Sequence, residues 1–218
     1  MQIIIARKKI KNSNLKVRPN FTVELSVPES ASQEYIDSFL EKKKDWIEKQ
    51  IQFFKDNLIN ETEKKYISGE SVKYLGKNYR LKVHKGKEKY VKFMRGYIHL
   101  YCLENSGLED KKELLQNWLK ERAKDKIMGI AKKYLDKLEE VPDIKFRDMK
   151  TRWGSCNSEK KRIIFNWRLI EKSPYGIEYV VVHELVHLKY NNHSKAFFKY
   201  LSVKLPDWEK RREILYNK

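Results

Sequence analysis

Of the chain's five histidines, three fall within residues 183–193, HELVHLKYNNH. On a helix, His183 and His187 lie one turn apart on the same face, where two imidazoles can converge on a single cation. Glu184 follows the first of them, placed so that its carboxylate can reach water held by the ion without itself becoming a ligand. A catalytic zinc takes a third protein ligand and keeps its remaining position open. His193 can supply that ligand if the chain folds back beyond the helix. Asn191-Asn192 mark the expected turn, because asparagine tolerates the left-handed conformation of a reversal. The expected set is one Zn2+ per chain on His183, His187 and His193, with Glu184 as general acid and base. Zinc polarises a carbonyl and lowers the pKa of water, and a neighbouring carboxylate can accept water's proton and hand it to a leaving amine. Amide hydrolysis is the reaction these parts suit best. Histidines that were only polar surface or satisfied core residues would explain neither the spacing nor the glutamate.

The elements that must position this cluster are legible from periodicity. Residues 15–27 alternate apolar and polar and break at Pro19-Asn20, which predicts a hairpin. Ser30 to Gln33 resembles a capping box, opening a helix to about residue 57 with Ile36, Phe39, Leu40, Trp46, Ile47, Ile51 and Phe54 on one face. Short strands are expected over 71–84, turning at Gly76-Lys77-Asn78, and over 89–102, turning at Arg95-Gly96. A long amphipathic helix follows over 109–139 and stops at Val141-Pro142. The last third reads as strands at 143–154 and 161–168, then a helix from Ser173-Pro174 with serine as its cap and proline at its first position. Short helices close the chain near 194–204 and 206–216. Segregated strands and helices in this order predict an α+β fold. A soft boundary near 103–109 divides an N-terminal α+β region, 1–102, from a catalytic domain, 103–218, unless the two form one continuous unit.

Composition narrows the class. With 218 residues, 40% of them hydrophobic, the chain can bury a real core. Cys102 and Cys156 cannot form a disulfide framework. The N-terminal apolar run is too short for a signal peptide or a membrane span, so a soluble, cytoplasmic protein without membrane partners is expected. The formal net charge of +18 invites a nucleic-acid reading, yet the charge is spread along the whole chain. It therefore predicts weak, non-specific, salt-dependent nucleic-acid binding at most. The densest basic run is KVHKGKEKYVKFMR, residues 82–95.

The segment KTRWGSCNSEKKRIIFNWRLIEKSPYGIEYVVVHELVHLKYNNHSKAFFKYL resembles the YgjP-like metallopeptidases. The elements that carry the resemblance are Arg152–Cys156, Asn166, Leu169-Ile170, Pro174, Tyr179-Val180, the HELVH core and Asn192-His193-Ser194. VPES, KKKDWIEKQI and YLGKNYRLKV extend it over nearly the whole chain. The resemblance implies a zincin-like catalytic domain, zinc on His183, His187 and His193, and Glu184 as the catalytic residue, acting on a protein or peptide substrate. A more distant likeness to SprT-type proteases supplies one alternative, a peptidase acting on DNA-bound proteins. A basic nucleic-acid-binding module with a purely structural zinc is the other. Cys156 is either a fourth, thiolate ligand or a small buried neighbour of the site, and Arg152 and Tyr190 are both candidates to steady an oxyanion. The strand RIIFNW, residues 162–167, is expected to offer substrate a free edge.

Overall fold

A computed structural model describes residues 2–18, 20–58, 64–135, 141–149 and 151–216, the side chains of 53–58 excepted. They fall into two compact units, Met1–Lys64 and Lys65–Lys218. In the first, β1 (Gln2–Lys8), β2 (Asn14–Val17) and β3 (Thr22–Pro28) form a sheet in the order β1-β3-β2. The alternation at 15–27 makes the β2–β3 hairpin, burying Val17, Val23, Leu25 and Val27. β1 pairs in parallel with β3, a non-local partnership that periodicity does not reveal. α1 (Gln33–Leu58) lays Ile36 and Ile47 on this sheet's core. Its cap is Ser32, whose hydroxyl accepts from the Tyr35 amide at 3.2 Å. The expected box at Ser30 is displaced because Ala31 N–H donates to the Pro28 carbonyl, turning the chain there. Trp46 stands off the buried face at 42% exposure. Pro19 and the Phe54 side chain lie outside what is described.

The second unit opens with β4 (Ser71–Tyr74), β5 (Lys77–Gly86), β6 (Tyr90–Met94) and β7 (Tyr97–Leu103), ordered β4-β5-β7-β6. Its hairpins turn at Leu75-Gly76 and Arg95-Gly96, where both residues of each pair have positive φ. That is the conformation whose twist matches paired strands. α2 (Leu108–Leu135) buries Leu115, Trp118 and Leu119 in the same core as Ile98, Leu100 and Cys102 of β7. A division at 102/103 would split that core, and the compact units divide at 64/65 instead.

A second sheet follows: β8 (Asp143–Arg147), β9 (Gly154–Asn157) and β10 (Arg162–Asn166), in the order β8-β10-β9. The single strand expected over 143–154 is thus two strands on opposite sides of β10. A 3-10 turn, Trp167–Glu171, leads into α3 (Pro174–Val186), and α4 (Lys195–Lys204) and α5 (Trp208–Tyr216) complete the unit. No described helix is long and apolar enough to cross a membrane.

α3 has poor intrinsic reasons to be a helix, since Val180-Val181-Val182 are β-branched. It forms because its start is capped and because all three valines are buried. The Ser173 hydroxyl accepts from the Gly176 amide at 3.1 Å, a cap worth about 1 kcal/mol. The β4–β5 turn braces that cap: Leu75 N–H donates to the Ile170 carbonyl at 2.8 Å and Gly76 N–H to Glu171 at 3.2 Å. Gly76 is required there, since a Cβ would stand 2.8 Å from the Ser173 Cα and its φ is +80°. On the other side Glu178 accepts from the Tyr134 hydroxyl at 2.9 Å and from Arg211 at 2.7 Å. Each such bond to a charged group is worth about 1.5–3 kcal/mol, and together they tie α2, α3 and α5 around the helix that carries the site.

Candidate active site

α3 is capped at its C-terminus by His187, whose amide still reaches the His183 carbonyl at 3.3 Å. The chain then reverses through a tight turn in which Tyr190 N–H donates to the Val186 carbonyl at 3.0 Å. Ser194 caps α4, its hydroxyl accepting from the Phe197 amide at 3.4 Å. Neither Asn191 nor Asn192 is left-handed. The continued turning at 187–190 achieves the reversal that the asparagines were expected to provide.

The reversal brings His193 back onto α3. Its Nε2 lies 3.0 Å from Nε2 of His183 and 3.2 Å from Nε2 of His187. The ligand atoms of all three histidines lie within 4.8 Å of one another. Zinc at about 2.0–2.1 Å from tetrahedrally arranged nitrogens would hold them about 3.3 Å apart, so the residues fit such an ion. Nδ1 of His187 donates to the Tyr190 carbonyl at 2.9 Å, which fixes its tautomer, and Nδ1 of His183 lies 3.4 Å from the Tyr179 hydroxyl. With its proton on Nδ1, the Nε2 lone pair of His187 points at the common centre, the arrangement metal-binding histidines adopt. Burial first, then the neighbouring imidazoles, pushes His183 down to about 3, which leaves it neutral and ready to bind a cation.

Glu184 is buried at 7% exposure, and that burial pushes its carboxyl up to about 7 against the opposing pull of Arg152. β9 runs directly against it. A Cβ on Gly154 would stand 2.7 Å from both Cγ and Oε1 of Glu184, so the glycine of RWGSC is there to let the strand approach the carboxylate. On the catalytic role proposed below for Glu184, Gly154→Ala is expected to lower hydrolysis roughly a hundredfold while metal content stays normal, because a displacement of about 1 Å at a reacting group costs that much. Steady-state rates and metal analysis on the same preparation check it; unchanged turnover would mean Glu184 need not sit where it does.

Three features escaped periodicity. Phe197 is fully buried, and its ring centroid lies 5.0, 4.6 and 4.9 Å from those of His183, His187 and His193, forming the floor on which the imidazoles stand. Its place four residues after His193, at the start of a helix, was the available signal. Arg212 and Tyr216 of α5 reach the same neighbourhood, with Arg212 acting on His183 and His193 and Glu184 on Tyr216. Cys156 does not join the cluster among the described residues. Burial, then Glu184, pushes its thiol up to about 12. The backbone of Tyr190 holds His187, and Arg152 bears on Glu184. β10 has no free edge: it is central, paired with β8 in parallel and β9 antiparallel. Substrate cannot add to it, and the exposed side of this sheet nearest Glu184 belongs to β9.

An α+β frame thus carries one cluster of three histidines that could hold a metal ion among the described residues. Residues 11–218 match the YgjP-like, metallopeptidase domain family, and the chain belongs to that family. No curated protein matches it. Among solved structures, the metallopeptidase zymogen jannalysin of Methanocaldococcus jannaschii is similar at 23% identity and a TM-score of 0.35, over 39% of this chain and 88% of that one. The zymogen of Pyrococcus abyssi abylysin is similar at 22% identity and a TM-score of 0.32, over 45% of this chain and 86% of that one.

Proposed function

We propose that the chain is a zinc-dependent peptidase in which His183, His187 and His193 hold one zinc ion per chain and Glu184 moves the proton of the reaction. The convergence of three Nε2 atoms on one centre, beside a buried carboxylate on the same helix, carries this reading. Zinc, when bound, supplies Lewis acidity toward a carbonyl and lowers the pKa of water toward neutrality. The protein supplies the rest. Glu184 takes a proton from the attacking water and delivers it to the departing amine nitrogen, and a carboxyl poised near neutrality suits both acts. β9 has a neighbouring strand on one side only among the described residues. Its other side offers main-chain groups along which an extended peptide can align, fixing register without demanding particular side chains.

A purely structural zinc would call for a fourth protein ligand. The cluster holds three among the described residues, which supports a site left open for chemistry. The cytoplasm is the compartment that goes with this reading. Incubating the zinc-loaded protein with a mixed peptide library and sequencing the products by mass spectrometry tests it. New internal cleavages that vanish with a chelator are expected. A fully loaded protein that leaves every peptide and an unfolded protein substrate intact would refute the peptidase reading.

A further inference from the structure

The two histidines outside the site, His84 and the buried His99, stand on β5 and β7 of the β4–β7 sheet. The sheet's inner face is apolar: Val72, Leu81, Ile98, Leu100 and Cys102 belong to the core over α2. The register places the alternate residues together on the opposite face. Lys82 stands beside His99, His84 beside Tyr101, Arg80 beside Tyr97, and Tyr90 and Lys92 complete the row from β6. None of the residues of β4, β5, β6 or β7 is acidic. This is the folded form of the basic run at 82–95, and folding sorts it: Lys82 and Lys92 point outward, whereas Lys85 and Lys89 pair with Glu104 and Asp110.

Three rings on this face form a stack across the strands. Tyr90 lies on Tyr101 at 4.3 Å and 12° and Tyr101 on His84 at 4.6 Å and 17°, while His84 meets the buried His99 edge to edge through a 3.0 Å contact between Nε2 and Nδ1. β6 is an edge strand of this sheet, so among the described residues the stack ends at Tyr90 with no further strand of the sheet beyond it. The cations sit over the rings: Lys82 Nζ is 3.7 Å from the Tyr97 centroid, and Lys92 Nζ is 5.1 Å from that of Tyr101.

We propose that this outward face binds single-stranded nucleic acid. Cations on strands that carry no acidic residue match a phosphate backbone, and a row of partly exposed rings, Tyr90, Tyr101 and His84, ending at an edge strand matches unpaired bases, each of which has a π-face to add to the stack. Acidic peptides would use the charge and leave the rings idle. A duplex keeps its bases stacked on one another and would do the same.

Anisotropy of a labelled oligothymidylate across a salt series tests the proposal, with the unlabelled duplex and polyglutamate as competitors. The zinc-loaded full chain should bind the oligothymidylate and be displaced poorly by either competitor. Lys82→Ala with Lys92→Ala should weaken binding and make the log–log salt slope shallower by about 1.4, two phosphate contacts at about 0.7 each. Tyr90→Leu should weaken binding about tenfold with the slope unchanged, and Tyr90→Phe should restore it. Peptide hydrolysis, which uses none of these residues, reports that each variant is folded. The proposal is overturned by undetectable binding at low salt, by equal displacement with polyglutamate or duplex, or by an equal loss in Lys42→Ala with Lys49→Ala, which would mark diffuse charge.

Discussion

Glu184→Gln should bind its metal as wild type does and hydrolyse peptides about a thousandfold more slowly, within the range that general acid–base groups contribute. The amide is nearly the same size and fits the same space under Gly154, so the strand and the imidazole cluster keep their places. What it lacks is the ability to accept water's proton. Removing a charge that burial already disfavours should also leave the variant at least as stable as wild type, a second readout that separates lost chemistry from lost structure. Turnover within a few-fold of wild type in a metal-replete sample would show that another group moves the proton.

His193→Ala should leave the helices intact and lose the metal. His193 is exposed and lies in the link before α4, so its removal opens no core cavity. Two imidazoles on α3 remain, but an ion that had three protein ligands is left with two. Deleting even a supporting hydrogen bond behind a ligand costs about 10–100-fold in affinity, so deleting the ligand itself should cost more than about a hundredfold. Competition with a chelating dye measures it directly, and a circular dichroism spectrum like that of wild type controls for folding. Undiminished affinity would remove His193 from the set and leave the reversal after α3 without a purpose.

Much of the site was legible because its signals are local. His183, Glu184 and His187 share a helix whose start is written in Ser173-Pro174, and the structure begins α3 at Pro174. The Arg95-Gly96 turn is equally local. Pairing is not. β1 with β3, β5 with β7 and β8 with β10 are all parallel partnerships between segments that are not consecutive, and alternation within a strand says which face is buried but not who lies beside it. RIIFNW shows the cost. Ile163 and Phe165 are fully buried and Ile164 is half-buried, a near-continuous apolar run of the kind that marks a strand covered on both sides. Its proximity to the site suggested an edge, while its composition pointed to the centre. Gly154 was visible as part of RWGSC, but its reason, the 2.7 Å approach to Glu184, exists only once β9 and α3 are packed together.

On the proposed reading, peptide hydrolysis needs one ion held by His183, His187 and His193. Stripping the protein with a chelator and titrating zinc back, with hydrolysis followed at each addition, tests it most directly. Activity should disappear on stripping, rise linearly with added zinc and break sharply at one ion per chain. Hydrolysis that survives complete removal of metal, or that rises only as a second equivalent binds, would contradict the account.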